Sequence, residues 1–193
     1  MLTRKFRANA DLVPPSVSPP SGVRGAIDSV VQGSLVELFA AYHLSVAPLP
    51  RLVPLRMPAV LDVSAAVGFT CSGGVGQAGR ITLSLPDAVL ELMKNDRGST
   101  LNGDWTRELA NQLIGRIKNR LLQFSVRLEV GTSTMVDSRA LVQQLHVSSS
   151  SRVYAARTLR GEMLVALEGL PDESQLAYVG HVKVASEGDA ILF

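Results

Sequence analysis

The stretch from 105 to 124 constrains the fold most, because it contains no proline and is rich in good helix formers. At about 100° per residue, its apolar side chains gather on one broad side of a helix. They are Trp105, Leu109, Ala110, Leu113, Ile114, Ile117, Leu121 and Phe124. Asn102-Gly103-Asp104, just before, supplies a turn and an N-cap. The pattern predicts one long helix that begins at Trp105 and packs its apolar side on a sheet.

The opposite side of this helix carries three residues that we call the polar strip: Glu108, Asn111 and Gly115. Their i, i+3, i+7 spacing keeps them within roughly 60° of one another. A glycine inside a helix costs about 1 kcal/mol relative to alanine, and core packing does not explain one that faces solvent. We therefore expect Gly115 to permit close approach by a partner. Arg120 falls on the apolar side, where we expect it to snorkel to an edge.

The segments before this helix predict a helix and a hairpin. Between 25 and 43, apolar residues recur at three- and four-residue steps, which is typical of a core-facing helix. Four prolines, at 48, 50, 54 and 58, then break any regular element. A β-rich stretch from 60 to 71, a glycine-rich turn at 73 to 79 and an alternating strand at 80 to 85 form an antiparallel hairpin. A short helix to about Lys94 follows.

The C-terminal half is mainly strand. Five segments rich in β-branched residues are separated by turn signals, namely 125 to 136, 141 to 147, 152 to 159, 162 to 168 and 177 to 184. The fold class expected is therefore α+β, a mainly antiparallel sheet covered on one side by the long central helix and further helices.

Composition indicates one domain, from 23 to 193, behind a flexible tail. Residues 1 to 22 are rich in proline and serine and bury little. A formal net charge of +2 and 5% aromatic residues argue against a nucleic-acid binder. We find no stretch as long as a membrane span and no secretory signal, so we expect a cytoplasmic protein. The single cysteine, Cys71, excludes an internal disulfide framework.

Three other sequence features do not predict a phosphate-binding, metal-binding or nucleophilic site. The glycine-rich turn lacks the Lys-Ser/Thr of a phosphate loop. His43, His146 and His181 are too far apart in sequence for metal-ligand spacing. The serines from 148 to 151 have no histidine and acid arrangement beside them. We predict no metal site and no serine nucleophile.

The run from Glu108 to Leu121 resembles the signature helix of the CheC/CheX/FliY phosphatases, in which Glu-x-x-Asn is followed by an apolar pair, a glycine and a basic residue. A strand that begins at Gly79 and the short helix after it also resemble the elements that precede the signature helix in this family. Judged by the order of elements, the resemblance covers roughly residues 25 to 170. The first helix offers Glu37 with Ala40 three residues on, so it lacks a second asparagine. One such helix per chain resembles CheX rather than CheC. The long tail, and the segment from 127 to 131 without a proline, depart from the family pattern.

The resemblance implies a phosphatase for the aspartyl phosphate of a CheY-like response-regulator receiver domain. It implies that Asn111 orients the attacking water and that Glu108 pairs with the receiver's lysine. Gly115, Lys118, Arg107 and Gln112 would contact the partner. No cofactor of the chain's own is implied, since Mg²⁺ belongs to the receiver, and a homodimer is common in the family. The alternative is a non-catalytic adaptor that binds a receiver domain or a switch complex.

Overall fold

A computed structural model describes residues 25–49, 61–72, 77–93, 102–138 and 151–180. The predicted tail, the glycine-rich segment 73–76 and the predicted strand 141 to 147 lie outside these ranges. Three α-helices are present in them: α1 (Ala26–Ala40), α2 (Asp87–Met93) and α3 (Asn102–Leu121). The strands are β1 (Ala47–Pro48), β2 (Val63–Ser72), β3 (Gln77–Leu85), β4 (Arg127–Val136), β5 (Arg152–Thr158) and β6 (Gly161–Glu168). Short 3-10 helices occupy Leu122–Phe124 and Glu173–Gln175.

The six strands form one antiparallel sheet in the order β1-β5-β6-β3-β2-β4. β2 and β3 pair without a break from Val63 with Leu85 to Cys71 with Gln77, so the predicted hairpin is confirmed. β2 also pairs with β4, with a register shift between Val67 and Phe69. The α+β class predicted from the sequence is correct.

The core lies between the three helices and one face of the sheet. Alternate residues of β2, among them Ala65, Val67 and Phe69, join all three helices in a single buried apolar cluster. Ala66, by contrast, is buried but lies outside that cluster, as expected for the other face of a pleated strand. On α3, Leu109 and Leu113 are fully buried, and each such side chain contributes about 1.5–3 kcal/mol by its transfer from water. The helices therefore cover one side of the sheet, as predicted.

The start of α3 differs from the prediction, because Asn102, Gly103 and Asp104 form its first turn and no residue of this triplet is an N-cap. The hydroxyl of Thr106 donates to the Asn102 carbonyl oxygen at 2.8 Å. The Asn102 side-chain nitrogen donates to Asp87 Oδ1 at 2.6 Å, which ties this turn to the start of α2. The helix begins three residues earlier than predicted because its first turn carries no apolar side chain to extend the periodic pattern.

Two predictions about strands were wrong. Pro48 does not stop regular structure, since it lies in β1 at the edge of the sheet, where a missing N–H is tolerated. The described part of the predicted strand 177 to 184, which ends at Gly180, is not a strand. There, the Val179 N–H donates to the Gln123 carbonyl at 2.8 Å, and the Tyr178 ring packs on Phe124. This segment therefore packs on the 3-10 helix Leu122–Phe124 that follows α3, and it pairs with no described strand.

Candidate functional site

The polar strip lies on the solvent side of α3. Glu108 and Asn111 are exposed and Gly115 is half-buried, whereas Leu109 and Leu113, on the sheet side, are fully buried. Glu108 and Asn111 are separated by three residues, which corresponds to a rise of about 4.5 Å and a rotation of roughly 60° on an α-helix. The acid and the carboxamide are therefore neighbours presented in one direction.

The Asn111 carboxamide has no hydrogen-bond partner among the described residues. A carboxamide offers an acceptor oxygen and a donor nitrogen, and both can hold water. The fold therefore presents a neutral group of mixed donor and acceptor character beside the Glu108 carboxylate.

Gly115 continues the strip one helical turn beyond Asn111. A Cβ added at this position would meet no other heavy atom within 4 Å. No packing contact in the described part of the chain therefore requires glycine at this position. The absence of a side chain leaves the helix backbone uncovered at this position.

Glu108 is held by a chain of two hydrogen bonds that begins on another element. The Tyr42 hydroxyl, in the turn after α1, donates to Gln112 Oε1 at 2.9 Å. The Gln112 side-chain nitrogen donates to Glu108 Oε1 at 2.9 Å. Gln112 therefore connects the strip to α1, and Tyr42 is a site residue that the sequence analysis missed. Tyr42 lies in the apolar segment from 25 to 43 that predicts the first helix, and no local pattern relates it to a residue 70 positions away.

Basic residues flank the strip and differ in their partners. Arg107 forms an ion pair with Asp104 within α3. Lys118 is exposed two turns beyond Asn111. Arg120, which we expected to snorkel to an edge, reaches across to α1 and pairs with Glu37. Two of these three cations therefore lie beside a carboxylate, whereas Lys118 forms no ion pair with a described residue.

The described residues outside the strip were compared with the requirements for a reactive thiol, a metal site and a membrane span. Burial raises the pKa of the Cys71 thiol, which disfavours the reactive thiolate. Within the described ranges, no three His, Cys, Asp or Glu side chains are grouped so that they could hold a metal ion. A span long and apolar enough to cross a membrane is not found in any described helix.

Comparison with solved structures identifies proteins of the same architecture. A chemotaxis protein CheX from Vibrio vulnificus superposes with a TM-score of 0.54 at 18% identity, over 73% of this chain and 94% of that one. A CheC-like superfamily protein from a Shewanella species gives 0.56 at 16% identity, over 74% and 96%. A chemotactic CheC-like protein from Shewanella oneidensis gives 0.51 at 16% identity, over 75% and 95%.

Comparison by sequence alone gives no match. No protein-family model matches the chain, and no curated protein matches it. The architecture nevertheless extends over nearly the whole length of each solved structure. The sheet, the three helices and the position of α3 agree with the architecture that the signature helix implied. The chain therefore has the fold of the CheX and CheC-like chemotaxis proteins.

Proposed function

We propose that this chain is a phosphatase that removes the phosphoryl group from the aspartate of a response-regulator receiver domain. The observation that carries the proposal is the exposure of Glu108 and Asn111, one turn apart, on the solvent side of the helix whose sequence resembles the CheX signature. The fold places that helix on top of the sheet, where a second protein can reach it.

In the proposed reaction, water attacks the phosphorus atom of the aspartyl phosphate. The bond from phosphorus to the aspartyl oxygen breaks, the carboxylate leaves with the electron pair, and both protons of the water remain with the inorganic phosphate, which is released as H₂PO₄⁻. Catalysis of phosphoryl transfer is largely positioning and electrostatics. The Asn111 carboxamide supports an in-line water without adding negative charge beside the anionic phosphoryl group.

Glu108 supplies the partner contact in this proposal. Its carboxylate accepts one hydrogen bond from Gln112 at 2.9 Å and retains lone pairs for a cation. A lysine ammonium of the receiver would then pair with it and fix the register of α3 over the phosphorylated site. Lys118 and Arg107 favour approach to an acidic receiver pocket, and Gly115 lets the two surfaces close. The reaction uses Mg²⁺ bound by the receiver and no cofactor of this chain, and we place it in the cytoplasm.

The proposal includes a homodimer formed at the edge of the sheet. Among the described strands, β4 is the long edge strand, since β1 at the other edge has only two residues. Most of β4 is exposed, including Val130 and Met135. An unpaired strand edge of this length is a template for pairing with a second copy. Light scattering that gives the monomer mass at micromolar concentration would contradict this part.

The test is release of inorganic phosphate from phosphorylated receiver domains. Wild-type protein should accelerate the release, and Asn111→Ala should lower kcat by roughly 10²-fold, the scale expected when a reacting group loses its positioning. Glu108→Ala should mainly raise KM, by about 10-fold or more, because a charge-assisted hydrogen bond contributes about 1.5–3 kcal/mol. Asn119→Ala, which removes an exposed carboxamide two turns along the same helix, is the matched control.

Binding is measured separately through the emission of Trp105, the chain's one tryptophan, which lies one turn before Glu108. Tight binding of a receiver without faster phosphate release would support the adaptor alternative. If the protein binds no receiver and accelerates phosphate release from none, both functions are refuted.

A further inference from the structure

We propose that Tyr42 and Gln112 are positioning residues, which hold the Glu108 carboxylate in the orientation that engages the receiver. The inference rests on the proposed function and assigns a role to a residue outside α3. It is based on the two consecutive hydrogen bonds of 2.9 Å that join Tyr42 to Gln112 and Gln112 to Glu108.

The direction of both bonds is fixed by chemistry. An ionised carboxylate only accepts hydrogen bonds, so the Gln112 amide must turn its nitrogen toward Glu108. Its oxygen then faces Tyr42, and the phenol must donate. In the reverse orientation the amide oxygen would face the carboxylate, and two acceptors would repel each other. The Tyr42 hydroxyl therefore stabilises the one amide orientation that donates to Glu108.

Tyr42 is itself held firmly, which makes it a suitable anchor. The turn after α1 closes with bonds from the Leu44 N–H to the Phe39 carbonyl and from the His43 N–H to the Ala40 carbonyl. His43 adopts a left-handed φ of 59°, so the turn has the Schellman arrangement. The Tyr42 ring also contacts Trp105 edge to face, with centroids 5.5 Å apart and planes at 78°.

Tyr42 and the Glu108 carboxylate lie on the same side of α3. On an ideal helix Trp105 and Gln112 are about 20° apart, and both lie beside Glu108 on the side of α1. An exposed glutamate samples several rotamers and loses that freedom when it binds. A carboxylate that is already oriented loses less, so binding is tighter. The chain from α1 thus preorganises the contact with the receiver.

The first experiment is a double-mutant cycle on receiver binding. Tyr42→Phe removes the donor and keeps the ring on Trp105, and should raise the dissociation constant for a receiver carrying Mg²⁺ and beryllium trifluoride by about 3- to 10-fold. At saturating phosphorylated receiver, kcat should stay within about twofold of wild type. In a Glu108→Ala background Tyr42→Phe should have no further effect, because the group it orients is gone.

Tyr178→Phe is the matched control, since its ring packs on Phe124 beyond the other end of α3. If Tyr42→Phe lowers the affinity for the receiver equally in wild type and in Glu108→Ala, Tyr42 has a merely structural role and the inference is overturned. An affinity that Tyr42→Phe leaves unchanged would also overturn the inference.

The second experiment uses the unbound protein and does not depend on the proposed function. The side-chain amide signals of Gln112, assigned by their loss in Gln112→Leu, should show restricted motion in ¹⁵N relaxation. Both Tyr42→Phe and Glu108→Ala should increase that motion, and Tyr178→Phe should not. If wild type binds no receiver, the proposed function fails even when the Gln112 signals behave as expected. If Gln112 is as mobile in wild type as in the variants, the positioning inference fails whatever the activity.

Discussion

Gly115 is a residue whose identity the fold itself does not require, since a Cβ there would contact nothing within 4 Å. Gly115→Ala should therefore stabilise the unbound protein by about 0.5–1 kcal/mol, because alanine favours the helix. The same methyl group should weaken receiver binding, because it stands between α3 and the partner. Urea unfolding and Trp105 emission measure the two effects. Asn119→Ala is the control, with higher helix propensity and unchanged binding. Stabilisation without loss of affinity would remove the functional reason for this glycine.

At this scale the sequence predicts which residues face solvent but not what they contact. The periodicity of α3 correctly places Glu108 and Asn111 opposite Leu113, because a regular helix fixes angular position from spacing alone. Tyr42 and Gln112 meet through tertiary packing, and nothing in either local segment encodes a contact between them. The position of the polar strip was therefore predictable from the sequence, whereas the hydrogen bonds that join Tyr42 through Gln112 to it were not.

At the scale of elements, α1 and α3 are joined by the ion pair between Arg120 and Glu37. Gly33 of α1 leaves the room that the guanidinium occupies, since a Cβ there would lie 2.5 Å from Arg120 Nη1. The side chains are 30% and 55% exposed, so solvent screens the pair. A double-mutant cycle with Arg120→Ala and Glu37→Ala should give a coupling of about 0.3–1 kcal/mol that shrinks in 1 M salt. A coupling near zero would show that this ion pair does not help to hold the two helices together, and a coupling that is unchanged in 1 M salt would show that solvent does not screen it.

The elements themselves were largely predictable, and the misses have physical causes. The β2–β3 hairpin follows from an alternating strand and a glycine-rich turn, and strands β4 to β6 follow from β-branched composition between turn residues. The start of α3 was placed late because the periodic signal begins only at Trp105. β1 was missed because its pairing with β5 needs two residues only, one of them Pro48. The segment after 176 was misassigned because its β-branched composition does not reveal that it packs on the 3-10 helix that follows α3.

At the scale of the whole molecule, one polar cluster joins three distant parts of the chain. The Tyr154 hydroxyl on β5 donates to Asp28 of α1 at 2.8 Å. Arg152 lies 3.7 Å from that carboxylate and 3.2 Å from Glu173, which accepts from the Gly25 N–H at 2.8 Å. The cluster fixes the first turn of α1 against the sheet and the C-terminal 3-10 helix.

This cluster predicts loss of stability in alkali. Burial, aided by the Asp28 hydrogen bond, raises the pKa of Tyr154 well above its ordinary value of 10.0. A folded-state pKa above the unfolded value gives stability that is complete below pH 10 and is lost as pH rises toward the folded pKa. Tyr154→Phe should therefore flatten the fall in the free energy of unfolding between about pH 10 and 12. Tyr178→Phe, measured in parallel, is the control for the loss of one phenol hydroxyl. An unaltered slope in Tyr154→Phe would assign the alkaline loss to other groups.

The central claim is that a neutral carboxamide at position 111 orients the attacking water, and single-turnover decay of a phosphorylated receiver tests it most directly. Saturating wild-type protein, Asn111→Asp and Asn111→Ala are compared, with Asn119→Asp as the control for added charge on the same helix. Aspartate keeps the shape of asparagine but brings a negative charge to the phosphoryl group. The account predicts that both position-111 variants slow the decay by roughly 10²-fold while Asn119→Asp does not. Decay at the wild-type rate in Asn111→Ala or Asn111→Asp would contradict it.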